Sequence, residues 1–184
     1  LLREEMTAAD CQAGHSRWSY RRDLGRTRLV VIDSRAGREL EPGARRMIGE
    51  GEWEWVVDSC RGDFDHLLLA SSVPFLLAPG LHLAEAWNEA VADGAWGSAA
   101  AAGAEWIRRE AVMDHWAAFQ RAVAALRGLL GSLVQGRLGT PPRSAILLSG
   151  DVHHCYVAEV GFPPGVRRAE ASCDRGPTPV WQVV

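Results

Sequence analysis

The sequence predicts an α/β (α+β) fold, because short apolar strand candidates alternate with amphipathic helical segments along the chain. Of its 184 residues, 47% are hydrophobic and 23% are charged, which is the balance of an ordinary globular domain. This length is enough to bury a sizeable core within one domain. We recognise no internal repeat and no domain boundary, so residues 1–184 are treated as one structural unit.

Five apolar runs are strand candidates. The first covers residues 28–33, where Val30, Val31 and Ile32 precede the carboxylate of Asp33. The other four candidates are residues 65–70, 145–148, 156–160 and 179–184. Residues 1–27 are polar and weakly patterned, so no strand is predicted there.

Three stretches have the spacing of amphipathic helices. Residues 50–60 carry apolar side chains at helical spacing, and residues 83–91 do so before a stop near Gly94. A longer helix is expected after Asp114, which is placed to cap it. Residues 95–104 are almost entirely Ala, Gly and Ser, which predicts a mobile loop or an insertion before a helical pattern resumes near Glu105.

The composition excludes several functional classes. All 20 basic residues are arginine, so no lysine is present for a Schiff base, a Walker-type phosphate loop or a lysine general base. The net charge of −3 gives no basic surface for nucleic acid or anionic lipid. No apolar run reaches the roughly 18 residues that a transmembrane helix needs.

The four cysteines stand at positions 11, 60, 155 and 173 and form no Cys-x-x-Cys pair. This spacing argues against a zinc ribbon and against a thioredoxin-type site. A reduced, cytoplasmic protein is the default expectation for so few cysteines, although the sequence itself does not fix the localisation.

One segment stands out as a candidate site. The apolar run at residues 146–148 continues into Ser149 and Gly150, which are followed by Asp151, His153 and His154. α/β folds place functional side chains after strand ends, and residues two apart point the same way in an extended chain. Since carboxylate and imidazole both suit transition metals, Asp151 and His153 are the candidate metal ligands.

Ordinary structural roles compete with this interpretation. An Asp that follows a Gly often hydrogen-bonds its own backbone, and many histidines are structural. Ser149 is a weaker candidate for a nucleophile because no Gly-x-Ser-x-Gly elbow surrounds it. We expect the Ser149 side chain to hydrogen-bond the loop at the end of the strand instead.

Other polar residues have two interpretations each. Arg35 is a candidate phosphate contact, but a salt bridge between Arg35 and Asp33 is the stronger expectation. His82 and Glu85 share a helical face and have the spacing of a metal pair, although helix capping is favoured. The same capping role is expected for His115, beside Asp114.

Taken in order, these segments resemble the PhoD-like metallophosphatases (alkaline phosphatase D) of the calcineurin-like phosphoesterase superfamily. The strongest match is Ser149-Gly150-Asp151-Val152-His153-His154, followed by Leu29-Val30-Val31-Ile32-Asp33-Ser34-Arg35. Glu85-Ala86-Trp87-Asn88-Glu89-Ala90 and Asp114-His115-Trp116 also resemble family segments. The resemblance covers residues 17–184.

The resemblance implies two packed β-sheets flanked by helices and a phosphate-ester substrate. It also implies two metal ions about 3.5–4 Å apart, with iron and calcium as the associated set. Carried over to this chain, Asp151 and His153 are metal ligands, and His154 contacts phosphate or supports the ligands. Arg35 is a further phosphate contact, and Asp33 orients it.

The metal motifs that open the family's domain are not found in residues 1–28. The sequence is therefore expected to be the C-terminal part of one metallophosphatase domain whose N-terminal half is missing, so that the chain alone is inactive. The alternative is a truncated or degenerate family member that acts as a non-catalytic binding or structural module. A third hypothesis is an unrelated hydrolase with Ser149 as its nucleophile.

Overall fold

The computed structural model describes residues 18–40, 45–163, 166 and 177–184. The strands are β1 (Tyr20–Leu24), β2 (Thr27–Ile32), β3 (His66–Ser71), β4 (Ser144–Leu148), β5 (Val157–Glu159) and β6 (Val180–Val183). The helices are α1 (Glu50–Ser59), α2 (Pro79–Ala92), α3 (Ser98–Glu110) and α4 (Gln120–Val134), with a 3₁₀ turn at Trp116–Ala118. The predicted α/β class is confirmed.

The described strands form one mixed sheet in the order β1-β2-β3-β4-β6-β5. Strands β2, β3, β4 and β6 run parallel, while β1 and β5 pair antiparallel at the two edges. Within the described ranges this is a single sheet, so the second sheet implied by the resemblance does not occur there.

The core lies on one face of this sheet. Along each parallel strand, alternate side chains point to this face, as the pleat requires. They pack with α1, the 3₁₀ turn and α4 into one buried cluster. Its strand members are Val30, Ile32, Leu67, Leu69, Ala145, Leu147 and Val180.

The opposite face of the sheet is also apolar but is only partly buried. The strand register aligns two rows of side chains across the four parallel strands. The rows are Leu29-Leu68-Ile146-Trp181 and Val31-Ala70-Leu148-Val183. Trp181 and Val183 each remain 37% exposed. We call these eight residues the open face.

All five predicted strands form, but β1 was not predicted. Each of its five residues is exposed, so the sequence shows none of the alternation that marks a half-buried strand. Strand β1 depends on its antiparallel pairing with β2, through the turn at Gly25 with φ 62°.

The prediction of a loop at residues 95–104 and the prediction of a helix cap at Asp114 were wrong. The Ala-rich stretch is not a loop, because α3 begins at Ser98. Asp114 does not cap the following helix: Trp116–Ala118 forms a 3₁₀ turn, and Phe119 is the N-cap residue of α4. The Asp114 carboxylate instead binds arginine, as described below.

The two cysteines that the structure describes differ in burial. Cys60 is buried, and burial raises the pKa of its thiol to about 12, so it is an inert core residue. Cys155 is a free thiol on the surface. Cys11 and Cys173 lie outside the described residues.

Within the described part of the chain, no helix combines the length and the apolar character that crossing a membrane demands.

Candidate functional site

The candidate site lies at the C-terminal ends of the parallel strands β2, β3 and β4, which we call the strand-end edge of the sheet. Ile32 pairs with Ser71, and Ala70 pairs with Leu148, so the three strands finish almost level. The loops that begin at Asp33, Ser72 and Ser149 therefore leave the sheet at the same edge. This is the edge at which parallel α/β sheets place their ligand sites.

An ion pair connects two of the predicted site residues. Arg35 Nη2, in the loop after β2, donates a hydrogen bond to Asp151 Oδ2, in the loop after β4. Arg35 Nη1 also lies 3.8 Å from Asp114 Oδ2, which accepts a hydrogen bond from Arg38 Nη1 at 2.9 Å. The result is a row of alternating charges along the edge: Arg38, Asp114, Arg35 and Asp151.

The favoured salt bridge between Asp33 and Arg35 is not formed. Asp33 Oδ1 instead accepts hydrogen bonds from the backbone N–H groups of Arg35 and Ala36, both at 2.9 Å. Such a turn is the usual local use of an Asp after a strand. Asp33 therefore fixes the backbone of Arg35, and the guanidinium group reaches across the edge to Asp151 and Asp114.

Asp151 and His153 do not occupy an extended chain, so the premise that they point the same way was wrong. Both have left-handed backbone conformations, with φ of 74° and 57°. Left-handed φ is uncommon outside glycine, though Asp and His adopt it more readily than most residues. Both side chains are exposed. The loop turns sharply between β4 and β5 and presents these groups to solvent.

His154 bonds within the loop. Its Nδ1 lies 2.6 Å from the carbonyl oxygen of Val152, and its ring stacks on Tyr156 with centroids 5.4 Å apart. If Nδ1 carries the proton donated to that carbonyl, Nε2 is the nitrogen left for a ligand. The stacking fixes the orientation of an otherwise exposed imidazole.

Ser149 does not make the side-chain hydrogen bond that was expected. Its backbone N–H donates to the Val183 carbonyl at 3.1 Å, whereas its Oγ is buried without a partner among the described residues. A serine nucleophile needs a base within hydrogen-bond reach. Nothing in this part of the structure supplies one to Ser149.

Glu85 and His115 form a pair that sequence reasoning missed. His82 and Glu85 do not cap α2, which has Ala78 as its N-cap residue and no side-chain capping bond. Glu85 is only 2% exposed, and its Oε1 lies 2.7 Å from Nδ1 of His115. This hydrogen bond raises the pKa of His115, and the nearby negative charges of Asp114 and Asp151 raise it further. No local pattern indicates a contact between residues 30 positions apart.

Gln182 is a second missed residue and stabilises the loop after β3. It is fully buried; its Oε1 accepts a hydrogen bond from Leu76 N–H at 2.7 Å, and its Nε2 donates to the Leu76 carbonyl at 2.7 Å. The Tyr156 hydroxyl accepts from Gln182 Nε2 at 2.9 Å and donates to the same carbonyl. These bonds attach the β3–α2 loop to β6 and to the loop that follows β4. A buried polar residue within an apolar strand was the available signal.

The described residues contain no group of three or more His, Cys, Asp or Glu side chains arranged to hold a metal ion. Asp151 and His153 are donors of the right chemistry, but two donors are fewer than a protein metal site uses.

Comparison of the chain with protein-family models, with curated proteins and with solved structures gives no match.

Proposed function

We propose that this chain forms one wall of the active site of a metal-dependent phosphatase of the PhoD-like type, acting on phosphate mono- or diesters. The contact between Arg35 and Asp151, 116 residues apart in sequence, carries the proposal. It joins the candidate phosphate contact to a candidate metal ligand at the strand-end edge of a parallel sheet. These are the two kinds of group that a phosphate ester held by a metal ion requires side by side.

The chain's own residues have distinct roles in this proposal. Arg35 binds phosphoryl oxygens through its planar fork, which suits bidentate contact with phosphate. Asp33 holds the Arg35 backbone, and Asp114 lies against the other side of the guanidinium group. Asp151 and His153 are the ligands for a metal pair that, when bound, supplies an activated water and neutralises phosphate charge.

The donor types fit iron or calcium, but the described residues do not complete a metal centre. We propose that the other ligands come from the N-terminal half of the domain, which the resemblance implies. The open face supports this proposal independently. Parallel sheets are normally covered on both faces, yet the open face leaves eight apolar side chains partly exposed. A second layer of the same domain would cover them.

The test is Asp151→Ala in the complete protein. We expect this variant to lose most of its phosphate-ester hydrolysis and one equivalent of bound metal, measured by elemental analysis. Asp58→Ala is a matched control, since Asp58 also pairs with an arginine, Arg61, at 3.0 Å but on the exposed surface of α1. Full activity with unchanged metal content in Asp151→Ala would rule the proposal out.

The alternative is a non-catalytic binding or structural module. The absence of a three-ligand group within the described residues favours it. Metal analysis of the purified 184-residue chain separates the alternatives, because stoichiometric binding of two metal ions would contradict a module without a metal site. Binding of no metal by the complete protein would support the module.

A further inference from the structure

We infer that His115, held in place by buried Glu85, is a second phosphate-contacting residue of this site beside Arg35, with Glu85 as its positioning residue. The inference rests on the proposed function, since it requires that the strand-end edge receive a phosphoryl group. The ligand class is the phosphoryl group of the ester, contacted through a charge-assisted hydrogen bond from the imidazole.

The environment of Glu85 is unusual for a structural carboxylate. Glu85 lies on α2 and is 2% exposed, and its Oε2 has no hydrogen-bond partner among the described residues. Its Oε1 is bonded to Nδ1 of His115. A buried carboxylate is costly unless a cation compensates it, so this contact favours the imidazolium form of His115.

The same contact selects the nitrogen that faces a ligand. With Nδ1 occupied by Glu85, Nε2 is the free donor of the ring, and no hydrogen bond from the described residues occupies it. A carboxylate that fixes the tautomer and orientation of a histidine is a recurrent device for exposing the opposite nitrogen. The His115 side chain keeps 16% of its surface exposed.

Two neighbouring residues place His115 at the strand-end edge. Trp116 Nε1 donates to Ser71 Oγ, at the end of β3, at 3.0 Å, and Ser71 Oγ in turn bonds Ser34 Oγ at 3.1 Å. On the other side of His115, the Asp114 carboxylate bonds Arg38 and lies against Arg35. His115 is thus fixed between contacts to two strand ends, next to the candidate phosphate contact.

The charged groups around His115 come from three elements. Glu85 contributes from α2, Asp114 from the loop that contains His115, and Asp151 from the loop after β4; all three favour the protonated ring. Arg35 and Arg38 pair with Asp114 and Asp151 and offset part of this negative charge. This edge therefore carries three cationic groups, Arg35, Arg38 and protonated His115, beside the carboxylates of Glu85, Asp114 and Asp151.

The experiment follows the histidine ring signals of the 184-residue chain by NMR while inorganic phosphate is added at constant pH and ionic strength. We expect the assigned His115 signal to shift saturably. His66 is the internal control, because it lies at the start of β3, at the opposite end of the strand from the candidate site. Its Nδ1 is 2.9 Å from Ser144 Oγ. A His115 signal that moves no more than that of His66 would overturn the inference without any mutation.

Variants then test the roles of the two residues. His115→Gln should weaken phosphate affinity about tenfold, the size expected for losing one hydrogen bond to a charged group. Glu85→Gln should lower the midpoint of the His115 titration, and it should also weaken phosphate affinity, whereas a Glu85 that only stabilises the fold would leave the phosphate affinity of the folded protein unchanged. His66→Gln should leave phosphate affinity unchanged.

The outcomes separate the inference from the proposed function. If Arg35→Gln abolishes phosphate binding while His115→Gln leaves it intact, His115 is not a phosphate contact and the phosphatase proposal stands. If Asp151→Ala keeps full hydrolysis in the complete protein, the phosphatase proposal fails whatever the His115 signal does. A loss of phosphate affinity in both Arg35→Gln and His115→Gln supports the inference.

Discussion

At the scale of single residues, the strand-end edge is organised by charges whose partners lie far away in sequence. Arg35 reaches Asp151, and Glu85 reaches His115. Each pair joins groups that the chain brings together only when the sheet and α2 are assembled. The exposed Arg35–Asp151 pair contributes little stability, as is usual for surface ion pairs. Its main effect is to position the two side chains relative to each other. The buried Glu85–His115 pair contributes more.

Glu85→Gln should make the stability of the chain less dependent on pH. The Glu85 hydrogen bond raises the pKa of His115 in the folded state, so its stabilisation is fully present below the ordinary histidine value of about 6.5. That stabilisation is lost as the pH rises through the folded-state pKa. We expect the variant to lose about 1.5–3 kcal/mol at mildly acidic pH and less at alkaline pH.

Urea unfolding of both proteins across pH measures this effect. Ser144→Ala is the control, because it removes the partner of exposed His66 without removing a charge. An equal stability difference between wild type and Glu85→Gln at every pH would show that His115 is not the titrating partner.

Some residues of the site were predictable and others were not. Asp151 and Arg35 were identified because each follows an apolar strand run. The partner of Arg35 was misjudged, since Asp33 is two residues away in sequence but uses its carboxylate on the backbone. The left-handed φ values of Asp151 and His153 depend on how the loop closes between β4 and β5, which sequence spacing does not encode.

At the scale of elements, strands with an apolar buried face were the easiest to predict. The parallel strands β2, β3 and β4 coincide with continuous apolar runs, as expected for strands with apolar side chains on both faces. The exposed edge strand β1 lacks that signal. The α3 error came from reading an Ala-rich tract as low complexity, although alanine has the highest intrinsic helix propensity.

Val112→Gly should stabilise the chain. Val112 follows α3 with φ 48°, and its N–H donates to the Arg109 carbonyl while Met113 N–H donates to that of Arg108. This is a Schellman motif, in which glycine is the preferred residue at the left-handed position. Removing the β-branched side chain there is expected to add about 1 kcal/mol to the free energy of unfolding, since a left-handed φ costs a non-glycine residue roughly 1–2 kcal/mol.

Thermal unfolding and urea unfolding measure the change. The matched control is Val157→Gly, since Val157 is 65% exposed and Val112 is 66% exposed, but Val157 lies in β5. That substitution should destabilise the chain, because glycine weakens strands. A loss of stability in Val112→Gly would mean that the side chain makes contacts worth more than the backbone strain.

At the scale of the whole molecule, the two faces of the sheet differ in how completely they are covered. Leu67 and Leu68 are neighbours in β3 and point to opposite faces. Leu67 is 1% exposed within the core, whereas Leu68 belongs to the open face and is only partly buried. The helices among the described residues thus stabilise one side of the sheet much more than the other.

Leu67→Ala should cost about 2–5 kcal/mol in the 184-residue chain, and Leu68→Ala clearly less, because only the first leaves a cavity in a packed core. Urea unfolding of both variants measures the difference. In the complete protein, the proposed second layer over the open face should raise the cost of Leu68→Ala towards that of Leu67→Ala. Equal costs in the 184-residue chain would show that the open face is already covered there.

The position of β6 has a consequence for synthesis. Among the six strands of the described residues, β6 comes last in chain order, yet it lies inside the sheet, between β4 and β5. A ribosome exposes β2, β3 and β4 well before the strand that pairs with β4 has been translated. Until then, the free edge of β4 is open to pairing with another nascent chain. The speed of translation through β6 and access to chaperones are therefore expected to influence the yield of native protein.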